Sequence, residues 1–193
     1  MPTGGVPLLT VTLIAASVGL HLAGWSPDLA GLAWPWAALA SLLLSASLLG
    51  LVVNMPFLWL FGESLENGFG IVRFAALVLF AGLVAAGAQE LVDPDAAVPS
   101  VGIAGSIAGL IGAHALAYPG ARILCWVLIP FFVTFVEIPA LILAAAWLAL
   151  QAIPEVGQPP LAGLAAGLVV GLIGGWLLAR RADSTPAAPR AVA

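Results

Sequence analysis

The stretch VGIAGSIAGLIGAHA, residues 101–115, sets two groups capable of nucleophilic chemistry, Ser106 and His114, among small and apolar residues. A serine hydroxyl attacks a carbonyl only when a base accepts its proton, at a separation of roughly 2.6–3.2 Å. On one helix His114 lies eight residues beyond Ser106, about 12 Å along the axis, so the pair cannot act as a dyad. His21, in the first apolar segment, meets this stretch only by chance packing. Ser106 is instead expected to hydrogen-bond a carbonyl one turn back or on another helix. Glu90 and Glu137 fall close enough to segment ends to reach water or headgroups, which favours structural roles despite the cost of charge in a bilayer. Arg122, in PGAR, suits an interfacial anchor whose side chain snorkels to headgroups. The sequence has no His/Cys cluster at metal-ligand spacing and no phosphate-cradling loop followed by Lys, so neither a metal nor a cofactor is expected.

The elements that carry these residues must be membrane helices. Charged residues make up 7% of the 193-residue chain and apolar ones 63%. A soluble domain carries roughly 25% charge, so this chain has too little polar surface to cover itself in water. Its first partner is the lipid bilayer, and its net charge of −4 argues against nucleic acid. The lone Cys125 excludes an internal disulfide. The N-terminus lacks the basic region of a secretory signal, so the first apolar segment is expected to be retained.

Pro, Gly and charged residues divide the chain into six apolar segments, at about 7–24, 38–61, 71–92, 101–117, 131–150 and 160–179. They predict an all-α, six-span membrane domain over residues 1–181, with a disordered Pro/Ala-rich tail at 182–193. An interfacial turn before the second span, within LAGLAWPWAALASLLLS, is an alternative, and the start of the fifth is blurred by apolar residues up to Pro130. Arg73, Arg122, Arg180, Arg181 and Arg190 all fall beside the loops after spans 2, 4 and 6, whereas Asp28, Asp93, Asp95 and Glu155 lie on the opposite side. The positive-inside rule then puts both termini in the cytoplasm, with Trp25, Trp34 and Trp36 at the outer interface.

Glycines supply the contacts between spans. Gly163, Gly167 and Gly171 recur every four residues along one face of span 6. Gly102, Gly105, Gly109 and Gly112 make a second small-residue face on span 4. In a bilayer, close backbone approach drives helix association more than burial of apolar surface does, so the two faces are expected to pack together. The alternative is that each docks on another chain.

Several of these stretches together resemble the rhomboid intramembrane proteases. VGIAGSIAGLIGAHALAYPGARI is similar to their fourth span, which carries G-x-S-G, and LAGLAAGLVVGL to the sixth. NMPFLWLFGESLENGFGIVRF resembles their second span and the loop after it, where Glu63 and Glu66 would hold a turn by bonding backbone. LIPFFVTFVEIPALILAAAWLALQ resembles their fifth span. The resemblance implies a serine nucleophile, a base histidine on the sixth span, and an oxyanion site with a histidine and an asparagine of the second. On that pattern the nucleophile position is Ala104, the base position Pro160 and the oxyanion histidine Gly50, while Asn54 is retained. Ser106 lies about 200° around the helix from Ala104, facing away from a site there.

The resemblance therefore implies a pseudoprotease, in the plasma (inner) membrane, that binds transmembrane segments of partner membrane proteins as an adaptor or an assembly or quality-control factor. The alternatives are a fixed accessory subunit of a larger membrane complex and an intramembrane protease with a rewired site.

Overall fold

The computed structural model describes residues 5–25, 34–45, 47–93, 101–129, 132–153, 156 and 161–183. In chain order these form α1 (Leu8–Leu22), α2 (Trp34–Ser41), α3 (Leu48–Phe69), α4 (Ile71–Val92), α5 (Gly102–Ala117), β1 (Arg122–Ile129), β2 (Phe132–Pro139), α6 (Ala140–Gln151) and α7 (Leu161–Asp183). The first, third and fourth expected spans appear as α1, α4 and α5 with bounds shifted by no more than two residues.

The expected span over 38–61 is corrected: it is two helices. The chain breaks after Ser41, and α3 starts afresh behind Ser47, whose extended backbone (φ −145°, ψ 162°) and hydroxyl accepting from Gly50 N–H make it an N-cap. α3 also runs on through Glu63 and Glu66, where a turn was expected. It stops only at Gly70, the one residue there with a left-handed backbone (φ +83°).

The fifth span, expected at 131–150, is also corrected. Residues 132–139, close to half of it, are a strand: β1 and β2 pair antiparallel, Arg122 opposite Pro139 and Ile129 opposite Phe132. The chain is otherwise helical, and the hairpin forms here because RILCWVLI and FVTFVEIP are rich in β-branched and aromatic residues, which fit a pleated surface better than a helix. A two-stranded sheet keeps unpaired edges that hydrocarbon cannot satisfy, so the hairpin belongs at or beyond the bilayer interface. The last helix extends the expected sixth span to Asp183, taking in the first residues assigned to the tail. The rest of that tail lies outside the described residues.

α3, α4 and α7 are long and apolar enough to cross a bilayer, while α1, α5 and α6 are apolar but shorter. The 22 residues of α4 span about 33 Å against a hydrocarbon core of about 30 Å. α5, with 16 residues, reaches about 24 Å. It tolerates that shortfall because it is the core: every residue from Ile103 to His114 is buried. A helix apolar on all sides belongs inside the bundle. α4, α5 and α7 pack as a triad, α3 closes the far side of α5, α1 lies mainly on α3, and α6 touches α3 and α5 lightly.

The two glycine-bearing helices meet over part of their length. A methyl group on Gly167 would strike the Gly105 carbonyl, one on Gly171 the Gly109 carbonyl, and one on Gly175 the Ala113 carbonyl. These contacts step together along both helices, so α5 and α7 run parallel with backbones in direct contact. Gly112 faces Leu172 N, 2.9 Å from where a Cβ would stand. Gly163 instead faces α4, its hypothetical Cβ 2.9 Å from the Ala85 carbonyl. The α5 glycines serve two neighbours, since Gly105 and Gly109 also abut the methyls of Ala85 and Ala81 on α4.

Candidate functional site

The positions singled out by the resemblance, Ala104, Asn54 and Gly50, lie in the N-terminal turns of α5 and α3. Ala104 is in that turn of α5, 7% exposed, and its methyl belongs to the apolar cluster with Leu58, Phe61 and Leu164. The turn is held by Ala104 N–H donating to the Val101 carbonyl at 3.1 Å. Ile103 N–H donates to the Leu44 carbonyl at 3.4 Å, in the break before α3.

Asn54, buried in the second turn of α3, accepts a hydrogen bond at its Oδ1 from Trp147 Nε1 at 3.1 Å. Trp147 is the most deeply buried large side chain of α6, and its ring tilts against Phe57 at 6.4 Å. The indole thus joins α6 to α3 through a buried polar side chain. Sequence reasoning missed Trp147. Its signal was a tryptophan in the middle of an apolar segment, where its N–H must find a partner, rather than at an interface.

Gly50 lies one turn before Asn54. Its N–H donates to Ser47 Oγ at 2.9 Å, and that hydroxyl donates to the Val156 carbonyl at 3.3 Å. A Cβ on Gly50 would collide with that same carbonyl and stand 3.2 Å from Ser47 Oγ. The Val156 backbone therefore sits directly on the glycine, filling the space a side chain at position 50 would need. Pro160 lies outside the described residues.

Ser106 is on the other side of α5. Its hydroxyl is fully buried and donates across to the Val78 carbonyl of α4 at 2.9 Å. His114 is near the opposite end of the helix, edge-on to Phe61 at 5.1 Å and 5.2 Å from the Tyr118 ring. With Tyr118, Arg122 and Ala144 it borders a cavity of about 240 Å³ between the end of α5 and the start of α6. His21 is at the end of α1, a helix that packs mainly on α3. The structure therefore brings Ala104, Asn54 and Gly50 to one region and keeps Ser106, His114 and His21 apart.

The acidic residues have separate roles. Glu66, buried within α3, accepts from Leu9 N–H, Thr10 N–H and Thr10 Oγ1, each at 2.8 Å. It bonds backbone as expected, but it caps the first turn of α1 rather than holding a local turn. That α1 turn has Pro7 at its cap position and no side-chain cap of its own. Glu137 is on β2, 3.9 Å from Arg122 across the open end of the hairpin, with both side chains well exposed. Such a surface pair contributes little to stability.

The Rhomboid domain family matches residues 33–181 of the chain. Comparison with curated proteins returned no match.

Proposed function

The chain belongs to the rhomboid domain family, and from that premise we propose that this integral membrane protein has lost catalysis and works by binding transmembrane helices of partner membrane proteins. The observation that carries the proposal is Ala104: where the resemblance requires a serine hydroxyl, the N-terminal turn of α5 offers a buried methyl. No base can make a nucleophile of it. Gly50 supports the same conclusion, since the Val156 carbonyl occupies the room an oxyanion-binding side chain would need. Pro160, at the base position, has no titratable group. Asn54, the retained position, is held by Trp147 at its carbonyl oxygen and keeps its amide N–H, and a donor without a nucleophile does no chemistry.

The binding role follows from how unevenly the bundle is held. α4, α5 and α7 are locked by backbone contact, whereas α6 meets α3 and α5 only lightly. The α3–α6 seam is the place where a partner's helix would enter. The full arrangement proposed is six crossings with both termini in the cytoplasm of a plasma (inner) membrane. It is supported by Arg73, Arg122 and Arg180 falling at one end of the bundle, because α4 starts where α5 and α7 finish.

Two experiments test this. A fluorophosphonate probe should leave the intact mass of the protein unchanged, because its only buried serine on α5, Ser106, is committed to Val78; a covalent adduct on Ser106 would restore a rewired protease. Capture from native membranes should yield uncleaved membrane proteins at low, variable occupancy. A constant stoichiometric companion would identify a fixed subunit instead, and no companion at all would remove the binding role.

A further inference from the structure

Between α4 and α7, on the side of the triad away from the candidate site, runs an open apolar trough of about 340 Å³. Its walls include Ala76 and Phe80 of α4 and Ile173, Gly174 and Leu177 of α7, with Arg73 at one end. Phe80, Ile173 and Leu177 are 65%, 56% and 50% exposed, so the trough opens to the surroundings of the bundle. From Arg73 to Phe80, and from Val170 to Leu178, the lining covers about 11–12 Å of helix, close to the roughly 15 Å that one leaflet contributes to the hydrocarbon core.

The end that holds Arg73 is also the headgroup end. There, Arg180 of α7 stacks its guanidinium 3.8 Å above the half-exposed Trp176 ring, an aromatic–cation pair of the kind that anchors at the membrane–water boundary. Arg73 makes no ion pair among the described residues. It also sits in the first turn of α4, a turn without an acidic residue, where the helix dipole disfavours a cation and favours an anion beside it.

We propose that this trough is a specific site for an anionic phospholipid, with one acyl chain along α4 and α7 and the phosphate on Arg73. An apolar slot of single-leaflet length, closed at headgroup depth by an unpaired cation, matches both halves of such a molecule. A partner helix would match only the apolar half, and a second copy of this chain would bring a second Arg73 against the first. The inference does not depend on whether the chain is catalytic.

The test is native mass spectrometry of the purified protein titrated separately with palmitoyl-oleoyl phosphatidylglycerol and palmitoyl-oleoyl phosphatidylcholine. The wild type should bind one phosphatidylglycerol about fivefold more tightly than phosphatidylcholine, the effect expected of one cation at a membrane surface. Arg73→Gln should bring the two lipids to parity. Ala76→Phe, at an exposed wall position, should weaken both. Unchanged melting temperatures for the two variants would show that they fold. Equal binding by the wild type, a preference that survives Arg73→Gln, phosphatidylglycerol binding indifferent to Ala76→Phe, or a dimer in place of the lipid adduct would each overturn the proposal.

Discussion

Glu66 shows how one side chain can fix the position of a whole helix. α1 begins with no acidic residue and no capping side chain, leaving backbone donors at its positive end unsatisfied. The Glu66 carboxylate, brought by α3 from 56 residues away, accepts two of those N–H groups and the Thr10 hydroxyl besides. Gly62, one turn earlier, permits the approach, since a Cβ there would stand 2.8 Å from Thr10 Oγ1. Hydrogen bonds to a buried charge contribute about 1.5–3 kcal/mol, so Glu66→Ala should lower stability by at least about 2 kcal/mol in a reversible detergent or denaturant titration. Glu66→Gln, which keeps one acceptor, should lose less. Trp147→Phe tests the α6 lock: it removes the bond to Asn54 and leaves part of a fully buried site empty, so it should cost about 2–4 kcal/mol.

At the scale of elements, the glycine contacts and the hairpin make opposite demands on sequence. Between α5 and α7 the helices touch backbone to backbone, so Gly171→Leu has nowhere to place its side chain against the Gly109 carbonyl. Overpacking costs about 1–3 kcal/mol where neighbours can shift; two helix backbones shift less readily, and the variant should lose its monodisperse peak in size-exclusion chromatography. In the hairpin, successive side chains alternate between faces. Cysteines placed in turn at positions 132–139 should therefore label with a water-soluble maleimide at a period of two, whereas the expected helix would give a period near 3.6.

These elements also show what the sequence makes legible. The four-residue glycine repeat and the bounds of α4 follow from local periodicity and punctuation; in the structure α4 is Ile71–Val92, and Gly167 and Gly171 meet α5 while Gly163 meets α4. The hairpin does not follow in this way, because an apolar run such as RILCWVLIPFFVTFVEIP satisfies a strand and a buried helix alike, and hydropathy alone favours the helix. The break before α3 was legible only as the alternative of an interfacial turn, because its leucines and serines suit either a helix or its cap. The candidate site was readable in part. Ala104 and Asn54 stand in recognisable patterns, but the Trp147–Asn54 bond joins residues 93 apart and the Val156 carbonyl over Gly50 involves only backbone. Long-range pairs leave no periodic trace.

For the whole molecule, a rhomboid-domain bundle is held rigid on one side by α4, α5 and α7 and lightly on the other by α6. On the proposal that catalysis is lost, that division would let the fold persist, because the glycines that support α5 do not depend on the residue at position 104. It also predicts that catalysis cannot be returned by one change. Ala104→Ser would supply a hydroxyl without a base at Pro160 and without room for a donor at Gly50. The most direct measurement is the intact mass of the wild-type and Ala104→Ser proteins after exposure to a fluorophosphonate probe in lipid. The account predicts an unmodified mass for both. A stoichiometric adduct on either one, at Ser106 in the wild type or at the new serine in the variant, would contradict it.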